Sequence, residues 1–226
     1  MKKFKAIFSD IDGTLVSFTT HRVPESTFKA IEQARSQGVK VIIATGRPFG
    51  DFDVIGDVPY DAVISLNGSD CLELSEGFFI NRITPPVLKV ANTLNHSVPV
   101  PADIEEVFRT YGCGQLSAYF DAETERKVMP QVPGLYASRW HPGFVNIDVA
   151  GIDKGTALKE MAGLMGIGID ETISFGDGGN DIPLIKAAGL GVAMGNAGEE
   201  LKAVAGYVTA SVDEDGFAAA LHKFVL

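Results

Sequence analysis

Short, unbroken apolar runs alternate with helical patterns along most of this chain. The runs are KAIFS at 5–9, VKVIIA at 39–44, AVISL at 62–66, TISF at 172–175 and LGVA at 190–193. A strand covered on both faces reads this way, whereas a half-exposed strand alternates apolar and polar residues. Between the first two runs, residues 24–37 carry Phe28, Ile31 and Ala34 at helical spacing, with Pro24 suited to a first turn and Gly38 as a stop. A shorter helical stretch is expected at 48–55. Strand and helix in this order predict an α/β, Rossmann-like core: a parallel sheet with crossover helices.

The rhythm breaks in the middle. Residues 71–74 and 78–80 read as a hairpin across Glu76-Gly77, and Pro85-Pro86 is a candidate hinge. Beyond it, 87–95 and 103–111 are expected as helices. Residues 116–120, 127–129 and 144–149 are expected as strands of an antiparallel sheet. After Gly151 the α/β pattern resumes, with helices at 154–165, 181–188, 198–205 and 215–224. The expected organisation is a discontinuous core of residues 1–82 and 151–226, with a small α+β cap inserted at 83–150.

A chain of 226 residues has room for one sizeable core and a smaller second one. Its net charge of −10 and the lack of a Lys/Arg stripe argue against a nucleic-acid partner. No apolar run approaches membrane-spanning length, and the basic start at Lys2, Lys3 and Lys5 leads into too short an apolar run for a signal peptide. Cys71 and Cys113, the only cysteines, read as reduced thiols, so a cytoplasmic location is expected. A chain this acidic that handles phosphate needs local positive charge from a metal, a lysine or backbone amides.

Four clusters meet that need. The first run ends in Asp10-Ile11-Asp12-Gly13-Thr14; residues two apart on a strand share a side, so both carboxylates face one crevice. Taken alone, Asp-Gly is as readily a turn. The second run ends in Thr45-Gly46-Arg47-Pro48, where a hydroxyl can meet a phosphoryl oxygen or simply cap a helix. Lys154 opens a helix, where a cation opposes the helix dipole unless something negative faces it. Asp153, as the cap, is the bland partner. The fourth cluster, Gly176-Asp177-Gly178-Gly179-Asn180-Asp181, follows TISF and offers oxygen donors that suit magnesium better than zinc. In an open parallel sheet, function gathers beyond the carboxyl ends of the strands. One site explains all four clusters better than four separate coincidences, and its contents are those of phosphoryl transfer. No G-x-x-x-x-G-K-[ST] is present, so a P-loop is excluded.

These motifs resemble the haloacid dehalogenase superfamily: FSDIDGTL at 8–15, Thr45, Lys154 and GDGGND at 176–181, in order. ISLNG at 64–68, GVAMGNA at 191–197 and EDGFAAAL at 214–221 are similar to the Cof-like (IIB) branch, whose C2 cap lies between the second and third motifs. The resemblance implies a magnesium-dependent phosphatase. Asp10 is the implied nucleophile and a metal ligand. Asp12 is the acid/base and lends its carbonyl to the metal. Asp177 binds the metal and Asp181 supports its shell. Thr45 and Lys154 hold phosphoryl oxygens, Lys154 also keeping Asp10 ionised. Gly46, Arg47, Asn67, Gly68 and Asn180 are implied at the phosphate and substrate edge.

The insertion is short beside many Cof-like caps, so a small phosphorylated substrate is expected, a sugar phosphate foremost, handled by a monomer or homodimer. Phosphoglycolate phosphatase and phosphomutase are the rivals in chemistry; a non-catalytic phospho-ligand module is the rival of another class. Arg109, Arg126, Lys127, Arg139 and His141 are cap candidates for substrate contact, though charged residues on a small domain are usually solvated. Arg47 is equally suited to pairing with a neighbouring acid. Trp140-His141-Pro142 is a possible lid loop, with Trp140 better suited to cap core.

Overall fold

The computed structural model describes residues 4–48, 51–75, 78–82, 115–118, 120–141 and 144–226. Strands β1 (Ala6–Ser9), β2 (Lys40–Ala44) and β3 (Ala62–Ser65) pair in parallel. On the other side of β1 lie β9 (Thr172–Gly176), β10 (Leu190–Ala193) and β11 (Tyr207–Val208), also parallel. A hairpin of β4 (Asp70–Ser75) and β5 (Phe78–Arg82) extends the β3 edge antiparallel. The sheet is thus eight-stranded, in the order β11-β10-β9-β1-β2-β3-β4-β5.

The sheet is apolar because both faces are covered. Along β1 and β2, Ile7, Val41 and Ile43 point into one core with Ile173 and Phe175, against α1 (Glu25–Ser36) and α6 (Gly216–Phe224). The alternate residues Ala6, Phe8, Ile42 and Ala44 enter a second core against α3 (Lys154–Leu164) and α4 (Ile182–Ala187). Phe175 and Phe217 stack with centroids 4.3 Å apart, and both are fully buried. Burial of each such side chain is worth about 1.5–3 kcal/mol.

The described part of the insertion is a second, three-stranded antiparallel sheet. Its order is β6 (Leu116–Ala118), β8 (Phe144–Val149), β7 (Leu135–His141). Helix α2 (Ala122–Val128) leads into a 3-10 turn at Met129–Gln131. The strand expected at 127–129 is therefore a helix end. The Asp121 carboxylate accepts from Thr124 N–H at 2.8 Å, and Glu123 pairs with Lys127 at 2.7 Å one turn on. Local capping outweighs the three-residue pattern. The strand lies later, and Trp140 and His141 belong to it rather than to a lid loop.

Elsewhere the expected elements shorten. The stretch at 48–55 holds a 3-10 turn at Asp53–Ile55, and 198–205 holds α5 (Glu199–Lys202). Pro85-Pro86, the helices expected at 87–95 and 103–111, and Arg109 lie outside the described residues, as do the side chains of Trp140 and His141. Among the described residues, no helix is long and apolar enough to cross a membrane.

Candidate active site

Strand register gathers the four clusters. Ser9 lies beside Ile43 on β2 and beside Phe175 on β9. The residues that follow, Asp10, Ala44–Thr45 and Gly176–Asp177, therefore leave the sheet at one level. Asp10 N–H donates to the Phe175 carbonyl at 3.1 Å, and Thr45 N–H to the Ile64 carbonyl at 2.8 Å.

Lys154 reaches this edge from the first turn of α3. Its Nζ lies 2.7 Å from Asp10 Oδ1 and 2.6 Å from Asp181 Oδ1, with no exposed surface. Asp153 is not its partner. That carboxylate accepts from Thr156 N–H at 2.7 Å, while Thr156 Oγ1 accepts from Asp153 N–H at 3.0 Å, a closed capping box. Asp10 and Asp181 thus offset the cost of a buried cation at a helix N-terminus. Burial alone would lower the lysine pKa, but the two carboxylates outweigh it and raise the group. Asp181 also holds its own loop, since Oδ2 accepts from the N–H groups of Asp177 at 3.1 Å and Gly178 at 3.0 Å.

Asp177 completes the acidic group. One carboxylate oxygen each from Asp10, Asp177 and Asp181 lie within 4.8 Å of one another. Burial, then Asp181, push the Asp177 carboxyl up to about 7, against the lowering hydrogen bond from Thr14. Burial likewise raises Asp10 well above the ordinary value, with Asp181 adding to it and Lys154 opposing. Thr14 Oγ1 donates to Asp177 Oδ1 at 2.8 Å, and Asn196 Nδ2 donates to Asp177 Oδ2 at 3.3 Å and to the Gly13 carbonyl at 2.8 Å. Gly13 has φ +77°, and a Cβ there would fall 2.2 Å from Asp177 Oδ2 and 2.6 Å from the Phe18 ring. Glycine is required for the Asp177 carboxylate to approach this backbone so closely.

Asp12 stands on the open side. Arg47 grips it with two bonds, Nε to Oδ2 at 2.8 Å and NH2 to Oδ1 at 2.9 Å, and reaches Asp51 Oδ2 at 3.2 Å. Thr45 is buried, and its hydroxyl accepts from Arg47 N–H at 3.1 Å. Asn67 lies behind it, 1% exposed: its Oδ1 accepts from Asn180 Nδ2 at 3.1 Å. A Cβ on Gly46 would stand 3.2 Å from that same oxygen. Gly68, at φ +108°, lets its backbone approach the Asp153 carbonyl, which a Cβ would meet at 2.6 Å.

The family model for haloacid dehalogenase-like hydrolases matches this chain over residues 7–104 and 92–221. The chain belongs to that family. The putative phosphatase YkrA of Bacillus subtilis (strain 168) is 30% identical across 98% of each chain. BT1666 from Bacteroides thetaiotaomicron, a phosphatase of the haloalkanoate (HAD) enzyme superfamily, is 41% identical with a TM-score of 0.87, covering 99% of this chain and 96% of that one. The HAD subclass IIB sugar phosphatase BT4131 is 34% identical with a TM-score of 0.81, over 97% and 98%. The family and subclass drawn from the motifs are thus borne out.

In this HAD hydrolase, Asp10 and Asp181 meet Lys154 directly with Asp177 beside them, and Thr45, Gly46, Asn67, Gly68 and Asn180 line the same strand ends. Arg47 sits on Asp12 and Asp51. Arg126 is exposed, Lys127 is held by Glu123, and Arg139 pairs with Glu125 at 2.7 Å. Thr14, Asn196 and Asp51 were not singled out from sequence. Thr14 and Asn196 do lie inside the quoted runs FSDIDGTL and GVAMGNA.

The residues fit a hard cation. The donors are oxygens, and Asp181 and Asp177 raise the Asp10 pKa while Asp181 raises that of Asp177, a repulsion that a cation between them removes. Asp181 accepts three bonds, from Lys154 and two loop amides, against two at Asp177 and one at Asp10, so Asp10 and Asp177 keep more oxygen lone pairs with which to hold an ion directly.

Proposed function

We propose that this HAD hydrolase is a magnesium-dependent phosphomonoesterase that forms an aspartyl phosphate on Asp10 and acts on small phosphorylated metabolites, sugar phosphates foremost. The observation that carries the reading is the buried Lys154 ammonium between Asp10 and Asp181, beside Asp177. It opposes the burial that raises Asp10 and fixes that carboxylate in place for attack.

The Asp10 carboxylate attacks phosphorus, and the bond to the ester oxygen breaks. Asp12 gives its proton to the leaving alkoxide. Water then attacks the phosphoryl group on Asp10, Asp12 takes a proton from that water, and phosphate leaves with Asp10 restored. Asp10, the Asp12 carbonyl and Asp177 would hold a magnesium ion, which would supply charge neutralisation at the phosphoryl oxygens. Thr45, Lys154 and the amides near Gly46 hold those oxygens, with Asn180 beside them. Arg47 must release Asp12 before that carboxylate can carry a proton, and its freed guanidinium then suits an anionic or hydroxylated substrate.

Residues 1–82 and 151–226 form the catalytic core in this reading, and 83–150 the cap that selects the leaving group. A sugar-phosphate preference is supported by the name of BT4131, a sugar phosphatase. The relatives carry phosphatase names, so neither a mutase nor a non-catalytic module is favoured. A phosphate-release screen over sugar phosphates, phosphoglycolate and nucleotides, with and without magnesium, tests the reading. Release from sugar phosphates that requires magnesium and disappears in Asp10→Asn is expected. Turnover surviving in Asp10→Asn removes the nucleophile assignment, and turnover in excess chelator removes the metal.

A further inference from the structure

Asp148 lies in β8 of the smaller sheet and is 1% exposed. Three donors bond its carboxylate: Gln115 Nε2 at 2.8 Å on Oδ1, and Asn67 Nδ2 and Ser138 Oγ, each at 3.5 Å, on Oδ2. Asn67 belongs to the core, in the turn after β3, and its other amide atom accepts from Asn180. One buried side chain thus joins the smaller sheet to the turn Gly179–Asp181.

The direction of that amide is decided by chemistry. A primary amide has one donor end and one acceptor end, and a carboxylate only accepts. Asp148 therefore draws the Asn67 NH2 toward itself and leaves the Asn67 carbonyl for Asn180. The backbone is bent to put the amide there. Leu66 and Asn67 are consecutive non-glycine residues at φ +49° and +53°, a region side chains disfavour. The bend hangs on the Thr45–Arg47 loop, with Leu66 N–H on the Arg47 carbonyl at 3.1 Å and Asn67 N–H on the Thr45 carbonyl at 3.0 Å. Strain of this kind persists where the surroundings hold it, and such places cluster at working sites.

We propose that Asp148 is a positioning residue: through the Asn67 amide it fixes the Asn180 side chain, and so sets the cap sheet in register with the turn that carries Asp181, to which the Asp177 amide is bonded. The kinetic consequence rests on the phosphatase reading above; the structural one does not. Asp148→Asn is the sharp perturbation. Its single carbonyl oxygen cannot serve the donors that now occupy both carboxylate oxygens, and its new NH2 draws the Asn67 carbonyl away from Asn180. Asn67→Gly is the complement. It removes the amide while easing the left-handed backbone, so lost stability and lost positioning separate.

The test compares the full chain, in magnesium, as wild type, Asp148→Asn, Asn67→Gly and the double variant. Two readouts are taken: p-nitrophenyl phosphate kinetics, and hydrogen exchange of the Asp177 and Gly178 amides, which are bonded to Asp181. Each single variant is expected to lower kcat about tenfold, with KM changed less than about twofold, and to speed that exchange. The double variant should be no worse than either single one, and the thermal midpoint of Asn67→Gly should not fall below wild type. Wild-type exchange at those amides in Asp148→Asn overturns the proposal, as does a double variant whose kcat loss is the product of the two single losses. A wild type without turnover sinks the phosphatase reading alone, because exchange still decides the relay.

Discussion

Lys154 is the residue on which the other charges depend. It is fully buried, and two carboxylates face it at 2.6–2.7 Å. Replacing one partner of a buried ionic group leaves the others uncompensated. Lys154→Met should therefore cost about 3–5 kcal/mol in urea unfolding and abolish turnover. Loss of turnover with unchanged stability would show that the carboxylates find another partner. Asn196 acts more gently, by orienting Asp177 and the Gly13 carbonyl. Asn196→Ala should raise the magnesium concentration for half-maximal activity roughly 10-fold, read from a metal titration, with the fold intact. The two residues differ in how visible they are in sequence. A lysine opening a helix violates the dipole rule and announces itself. Asn196 violates nothing, and its role exists only because the chain folds back across 183 residues onto Gly13.

At the scale of elements, Asp61 ties α1 to β2 just before β3. Its carboxylate accepts from Arg35 at 3.1 Å, from Lys40 at 3.1 Å and from Val41 N–H at 2.9 Å. Burial alone would raise this group, yet the hydrogen bonds from Arg35, Val41 and Lys40 outweigh it and hold the pKa below the ordinary 3.8. A depressed pKa contributes stability that is present above the unfolded value and lost as pH falls through the folded one. Asp61→Asn should thus lower stability at pH 7 by about 1–2 kcal/mol and flatten the acid side of the stability curve from about pH 4 downward; parallel curves for the two proteins would remove Asp61 from the linkage. The main elements near it were readable, because strands buried on both faces leave continuous apolar runs. The smaller sheet was less so. Residues 127–129 look like a strand in isolation, and only the Asp121 cap and the Glu123–Lys127 pair turn them into a helix end. The two-residue β11 carries too little pattern to be seen at all.

For the molecule as a whole, the acidic group gives a metal a second role. Asp10 and Asp177 repel one another in the folded chain, so an ion bound between them favours the folded state by mass action. Saturating magnesium should raise the thermal midpoint by about 5–10 °C, and Asp177→Asn should erase most of that gain; an equal gain in the variant would place the ion elsewhere. The same cluster also has a history within the chain. Asp10 meets Lys154 across 144 residues and Thr14 meets Asp177 across 163. On a ribosome, β1 is made before β9, its partner on one side, and waits while everything between them is added. A growing chain can pair β1 with β2 and bury much of one apolar face, but it lacks the residues that face Asp10. The catalytic group arrives only with Lys154, Asp177 and Asp181, and a chain halted before them carries none of it.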